Sequence, residues 1–141
     1  MYGVLDDGLP CLLIDDRVRP YFFLREADVA RARAIAPNIE IEASNLSSFA
    51  NDPVVQVFVG LPDEIPPIRS RLERAGIRCF EADIRFAYRY LIDRGVRGAF
   101  EVHGHADRHA RLGRVLRNPE ITPTHWKPDL KVLSIDIETD P

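Results

Sequence analysis

The feature that most constrains this chain is the order in which its hydrophobic pattern changes period. From Val18 to Leu24, aromatic and apolar residues crowd a short run suited to a strand. Glu26 to Ala36 is Ala-rich and stopped by Pro37, which reads as a helix. Ile39 to Ala43 alternates as a half-buried strand does, and Ser44 to Asp52 is a polar loop. Val54 to Val59 is β-branched and apolar on both faces, the mark of a central strand. Ile65, Ile68, Leu72 and Ala75 then recur at helical spacing, with Asp63 placed as N-cap, Pro66 and Pro67 in the tolerant first turn and Gly76 as the stop. Ile77 to Glu81 closes the series as a short strand.

This β-α-β-β-α-β succession over residues 18–81 predicts an α+β fold with a ferredoxin-like core. An N-terminal β-hairpin is expected over Val4–Ile14, turning at Asp7-Gly8. Asp83 is placed to cap a further helix that runs to Arg94 and ends at Gly95, and Ala99–Val102 and Arg111–Leu116 read as additional C-terminal strands. Between Asn118 and Pro128 lie three prolines, His125 and the one Trp, a composition suited to a linker. The expected division is a domain over 1–117, a linker over 118–129, and the first strand of a second domain over 130–141.

That last stretch, Leu130 to Thr139, is apolar with two carboxylates set in it. Side chains alternate along a strand, so Asp136 and Glu138 are expected on one face. Two like charges among apolar neighbours are unfavourable unless a cation joins them. Divalent metal ions fill that role, and a pair of them held by carboxylates suits phosphodiester cleavage. Spacing alone also allows the bland alternative of a strand end that meets solvent.

Composition narrows the rest. A length of 141 residues fits one domain of ordinary size, with a core of its own. The net charge of −3 hides a local bias, because Arg69, Arg71, Arg74, Arg78, Arg85, Arg89, Arg94 and Arg97 crowd one stretch. Such a run either tracks phosphates or forms a salt-bridged surface. Cys11 and Cys79 are too far apart for a zinc knuckle and suit a reducing cytoplasm. No run of about 18 apolar residues is present, so no membrane span is expected, and Asp6 and Asp7 interrupt any signal peptide. His103, His105 and His109 sit among Gly104 and charged residues and read as a polar hairpin loop rather than a metal site. Tyr21 and Phe23 share one strand face and Phe22 the other; stacking on bases is one use for them, and core packing is the expectation for at least two.

Phe80-Glu-Ala-Asp-Ile-Arg-Phe-Ala-Tyr-Arg-Tyr-Leu-Ile-Asp-Arg-Gly95, followed by Leu133-Ser-Ile-Asp-Ile-Glu-Thr139, resembles the N-terminal region of family B DNA polymerases, and the bacterial DNA polymerase II branch in particular. Arg19-Pro20-Tyr21-Phe22 and Leu61-Pro-Asp-Glu-Ile-Pro66 are similar to further landmarks of that family, so the resemblance spans essentially the whole chain. It implies that Asp136 and Glu138 are the first acidic motif of a 3′→5′ proofreading exonuclease. They would bind Mg2+ or Mn2+ together with aspartates from later motifs, which are expected beyond Pro141 along with the polymerase palm. By itself the chain is then expected to be inactive. DNA, as primer-template and single-stranded template, is the implied partner, with dNTPs and a sliding clamp as partners to be sought in the intact enzyme. The implied location is cytoplasmic, on the nucleoid.

The resemblance also carries template-contact positions onto Pro20, Pro62, Ile65 and Arg89. In archaeal members these form a pocket that captures template uracil, a property not expected of bacterial ones. Gly3, beside Tyr2, stands where those archaeal members carry a Tyr. Arg85, four residues before Arg89, is read as a second cation for the template phosphate, with pairing of either Arg to Glu81 or Asp93 as the structural alternative. A non-catalytic nucleic-acid-binding or interaction module is the alternative reading of the whole.

Overall fold

In the computed structural model, residues 1–127 and 133–135 are described. The chain opens with β1 (Tyr2–Val4) and β2 (Pro10–Ile14), an antiparallel hairpin in which Tyr2 faces Leu12 and Val4 faces Pro10. Its connection contains Asp7-Gly8, as expected, but begins earlier. Leu5 N donates to Leu9 O and Gly8 N to Leu5 O, both at 2.9 Å.

The chain then forms β3 (Tyr21–Arg25), α1 (Val29–Ile35), β4 (Glu40–Ser47), β5 (Pro53–Phe58), α2 (Ile65–Arg74) and β6 (Cys79–Phe80). This is the strand–helix succession read from the sequence. The four strands make one sheet in the order β4-β5-β3-β6, with every neighbouring pair antiparallel. Register explains the core. Phe22 lies opposite Val57 and Leu24 opposite Val55, so these four share a face. Against it pack Ala32 of the first helix, Ala36 just past its end, and Ile65 and Leu72 from the second. Phe22, Leu24, Val57 and Leu72 are fully buried, each stabilising the fold by about 1.5–3 kcal/mol.

Two local expectations are corrected here. Residues 44–47, read as loop, continue β4 through an irregularity between Ala43 and Ser47 that absorbs the polar residues without breaking the edge strand. Asp63 does not cap α2: Glu64 holds the N-cap position, no side chain caps the helix, and the Glu64 carboxylate instead caps the turn before it. A short 3-10 turn, Pro62–Glu64, brings Glu64 Oε2 within 2.8 Å of Gly60 N and 3.0 Å of Leu61 N. The expected stop at Gly76 is present, with Ile77 N donating back to Leu72 O at 3.0 Å.

After β6 come α3 (Phe86–Asp93), β7 (Phe100–His103), β8 (Ala106–His109), β9 (Gly113–Arg117) and β10 (Glu120–Pro123). Asp83 does not cap α3: Arg85, with extended backbone, occupies the N-cap position, and no side chain caps it. β9 pairs in parallel with β2, Cys11 against Arg114, giving a second sheet in the order β1-β2-β9-β8. β10 pairs with β7 in a two-stranded third sheet. Gly113 permits the parallel junction: its φ is +70°, and a Cβ there would stand 2.2 Å from Pro10 O. A smaller core of Cys11, Leu13 and Leu116 lies between the second and third sheets, with Phe100, Val102 and Ile121 against it.

β8 and β10 are strands that the sequence reading treated as loop and linker. Ala106–His109 is polar because β8 is a largely exposed edge strand, and Glu120–Pro123 is the outer member of a two-stranded ribbon. Neither position demands an apolar pattern, so neither has a strong sequence signal. The expected strand over 130–139 falls largely outside the described residues. The described part, 133–135, is not in a strand, and Leu133 and Ile135 are exposed. The apolar pattern there finds no covering partner among the described residues.

Candidate nucleic-acid interface

The second face of the main sheet is aromatic. Tyr21 lies opposite Phe58, and Phe23 opposite Phe80, with Tyr21 5.5 Å from Phe23 and 5.6 Å from Phe58 between ring centroids. All three aromatics of β3 are packed rather than presented to solvent: Phe22 and Phe23 are buried and Tyr21 is half-buried.

α3 covers this face through Arg89. The Arg89 guanidinium sits 4.8 Å above the Tyr21 ring and 6.0 Å from that of Phe23. Its Nη2 donates to Glu81 Oε2 at 2.5 Å, while Nε is buried without a partner. Glu81 adopts φ +57°, a left-handed conformation uncommon outside glycine, immediately after β6. At the other end of the helix, Tyr21 Oη donates to Asp93 Oδ1 at 2.8 Å. Burial, reinforced by that bond to a carboxylate, pushes the Tyr21 hydroxyl up to about 12.

Asp15, just past β2, ties the same helix to the hairpin. Its carboxylate is nearly buried and receives Arg17 Nε at 2.9 Å, Tyr90 Oη at 2.8 Å and Arg94 Nη2 at 3.1 Å. Arg17 holds the Asp15 carboxyl far below the usual carboxylate range, and Tyr90 adds to this against the opposing effect of burial. Tyr90 moves up to about 12, mainly because it is buried and also because it serves that anion. Arg94 stacks on Tyr90 at 3.7 Å from the ring centroid, and Arg17 reaches Pro119 O at 2.7 Å.

The sequence-predicted template residues are therefore divided. Pro20 is buried beside the start of β3, and its carbonyl accepts from Val59 N at 3.0 Å. Pro62 is exposed on the turn before α2. Ile65 packs with Phe22 and Leu24 under one face of the main sheet, whereas Arg89 lies over the other, paired to Glu81. Arg85 is exposed, but it precedes α3 as its N-cap residue and so does not share a helical face with Arg89. Asp136 and Glu138 lie outside the described residues. Among the described residues, no group of three His, Cys, Asp or Glu is gathered to hold a metal, and no helix is long and apolar enough to cross a membrane.

The arginine run splits as well. Arg69 pairs with Glu73, Arg89 with Glu81 and Arg94 with Asp15, while Arg71, Arg74, Arg78, Arg85 and Arg97 make no ion pair among the described residues. Sequence reasoning missed Asp15 as a hub. An Asp-Asp-Arg after an apolar strand looks like any polar turn, and its partners come from residues far along the chain.

No family model matches the chain. It is 32% identical over 95 residues to DNA polymerase II of Escherichia coli K12, covering 67% of this chain and 12% of that protein. It is 30% identical over 149 aligned positions to a DNA polymerase of the archaeon Archaeoglobus fulgidus, covering 94% of this chain and 18% of that one. Among solved structures, the family B DNA polymerase of the hyperthermophilic archaeon Pyrobaculum calidifontis matches with a TM-score of 0.61 and 27% identity, over 82% of this chain and 17% of its own. The chain thus spans less than a fifth of the relatives it matches.

Proposed function

By sequence and by fold the kin of this chain are the family B DNA polymerases, and from that premise we propose that it is the N-terminal region of such an enzyme, contacting single-stranded template and bracing a 3′→5′ exonuclease domain. The observation that carries this reading is the relationship to a DNA polymerase along 94% of the chain.

In this reading the main sheet and α3 form a rigid block. Arg85, exposed and without an ion pair among the described residues, offers its guanidinium to a template phosphate. Of the three apolar positions, Pro62 is the one that offers surface, while Pro20 and Ile65 act from the interior by holding the local backbone. Arg89 is a positioning residue, since its charge is spent on Glu81 and its plane on Tyr21. Asp136 and Glu138 would hold Mg2+ or Mn2+ with further carboxylates from outside residues 1–141, and two carboxylates are a sound beginning for an oxygen-ligand site. Bound metal would supply charge neutralisation and an activated water for phosphodiester hydrolysis. The chain alone is then inactive, and primer-template DNA, dNTPs and a sliding clamp concern the whole enzyme, working on the cytoplasmic nucleoid.

The test is fluorescence anisotropy of the 141-residue chain with labelled single-stranded DNA across a salt series. Binding should weaken as salt rises, with a slope of about −0.7 per phosphate contacted, and Arg85→Ala should make the slope shallower by about one such step. A preference for template uracil would assign base capture to the surface at Pro62, with Pro20 and Ile65 shaping it from the interior. No binding at low salt would refute template contact and leave the bracing role.

A further inference from the structure

The turn between β4 and β5 holds an aromatic ring wholly in solvent. Phe49, at its tip, is the most exposed large hydrophobic residue described. The turn is tightly bonded. Ser48 Oγ accepts from Ala50 N and Asp52 N, each at 3.2 Å; Ser48 N donates to Asp52 O at 2.8 Å; and Asn51, at φ +64°, donates its N–H to Ser48 O at 2.9 Å. A phenyl ring fixed outward by such a turn gives up the stabilisation that burial would supply, so an occupant that covers it is the natural counterpart.

Beside the ring lies a cleft of about 360 Å3, lined by Arg25, Ser48, Phe49, Asp52, Arg78 and Phe80. That volume is at the lower end of the roughly 300–1,000 Å3 typical of ligand sites. The charge of the cleft is biased to the positive. Arg25 is bonded to the buried carboxylate of Asp28 at 2.9 Å, and that carboxylate is shared at 3.3 Å with Arg31, which lies outside the lining, so Arg25 is only partly neutralised. Arg78 makes no ion pair among the described residues and rests with its Cζ 5.1 Å from the Phe80 ring centroid, its N–H groups uncommitted. Asp52 supplies the one opposing charge of the lining and is engaged by Ser48.

We infer that this cleft binds one nucleotide of a single DNA strand, with the base stacked on Phe49 and its phosphate held between Arg25 and Arg78. The inference rests on the template-contact reading above and gives it a second, separate location. A π-face with guanidinium groups beside it is the combination that single-stranded nucleic acid uses without sequence preference. An apolar peptide would cover Phe49 but leave the arginines without partners, and an acidic peptide would leave the ring bare.

The test uses the whole chain and an oligonucleotide carrying 5-iododeoxyuridine. Irradiation should yield an adduct that maps by mass spectrometry to residues 48–52 or 78–80. In the anisotropy assay, Phe49→Ala should weaken binding by about five-fold to about a hundred-fold, the range set by base–aromatic stacking. Arg78→Ala should weaken it and make the salt slope shallower by about 0.7. Both residues are exposed, so folding is preserved, and circular dichroism checks this. Wild-type binding that is lost in Arg85→Ala but unchanged in both cleft variants, or adducts elsewhere only, would overturn the inference while the template reading stands. No binding by the wild type would overturn both. Phe49-dependent self-association in sedimentation, without DNA binding at the cleft, would assign the ring to a second copy of the chain and overturn the inference too.

Discussion

Between Tyr21 and Phe80 every strand of the main sheet finds its neighbour within the same continuous stretch, whereas β2 meets β9 across most of the chain, in a register that runs from Cys11–Arg114 to Ile14–Arg117. The first region is held by a broad apolar core with two helices on it. The second has three buried core residues, a parallel strand pair and an ionic hub at Asp15. Contacts close in sequence need little loop closure before they form, while the β2–β9 pair must wait for the intervening chain to fold. The main sheet is therefore expected to be the stable scaffold, and the sheet in which β2 meets β9 the part that opens first.

The comparison can be broken most directly in the scaffold. Phe22→Ala removes a fully buried ring at the centre of the main core and should destabilise the chain by about 3–5 kcal/mol in urea denaturation. A small effect, below that of Leu13→Ala in the lesser core, would reverse the ranking of the two regions.

Next is the junction. Gly113→Ala puts a side chain into left-handed backbone and into contact with Pro10 O, at a penalty of about 1–3 kcal/mol from conformation alone. Hydrogen exchange should show loss of protection at β2 and β9 with β3 and β5 spared. Equal loss in both sheets would mean that the two regions open as one.

The smallest expected effect concerns Asp15. Asp15→Asn removes the anion that Arg17, Tyr90 and Arg94 share, a loss of about 1–3 kcal/mol at neutral pH. Because the folded-state pKa is depressed, this stabilisation is present above the unfolded value of about 3.9 and is lost as pH falls toward the folded one. Acid titration of stability should therefore have a shallower limb below about pH 4 in the variant. A limb as steep as in the wild type would remove Asp15 from the account of what holds α3 to the hairpin.

How far the sequence could be read follows the same division. The core strands and helices of residues 21–80 were legible because burial imposes a period on each: Phe22 and Leu24 alternate, and Ile65 and Leu72 recur at helical spacing. β8 and β10 left no such pattern, because an exposed edge imposes none. At the candidate interface, the residues of interest were visible as residue types but their partners were not. Arg85 and Arg89 look alike in sequence; one is exposed and the other is buried against Tyr21 and Glu81. Phe49 lay in a stretch that read as polar loop.

The succession of strands and helices in the main sheet, the stops at Gly76 and Gly95 and the kinship with DNA polymerases are legible in the residues alone. These follow from local periodicity, capping chemistry and residue identity, which are properties of neighbours along the chain. That β2 runs parallel to β9, that Asp15 gathers Arg17, Tyr90 and Arg94, and that Arg89 is sealed while Arg85 stays open emerge only in the folded molecule. Those outcomes depend on which distant groups arrive together, and the energy of a charge or an aromatic ring is set by what surrounds it.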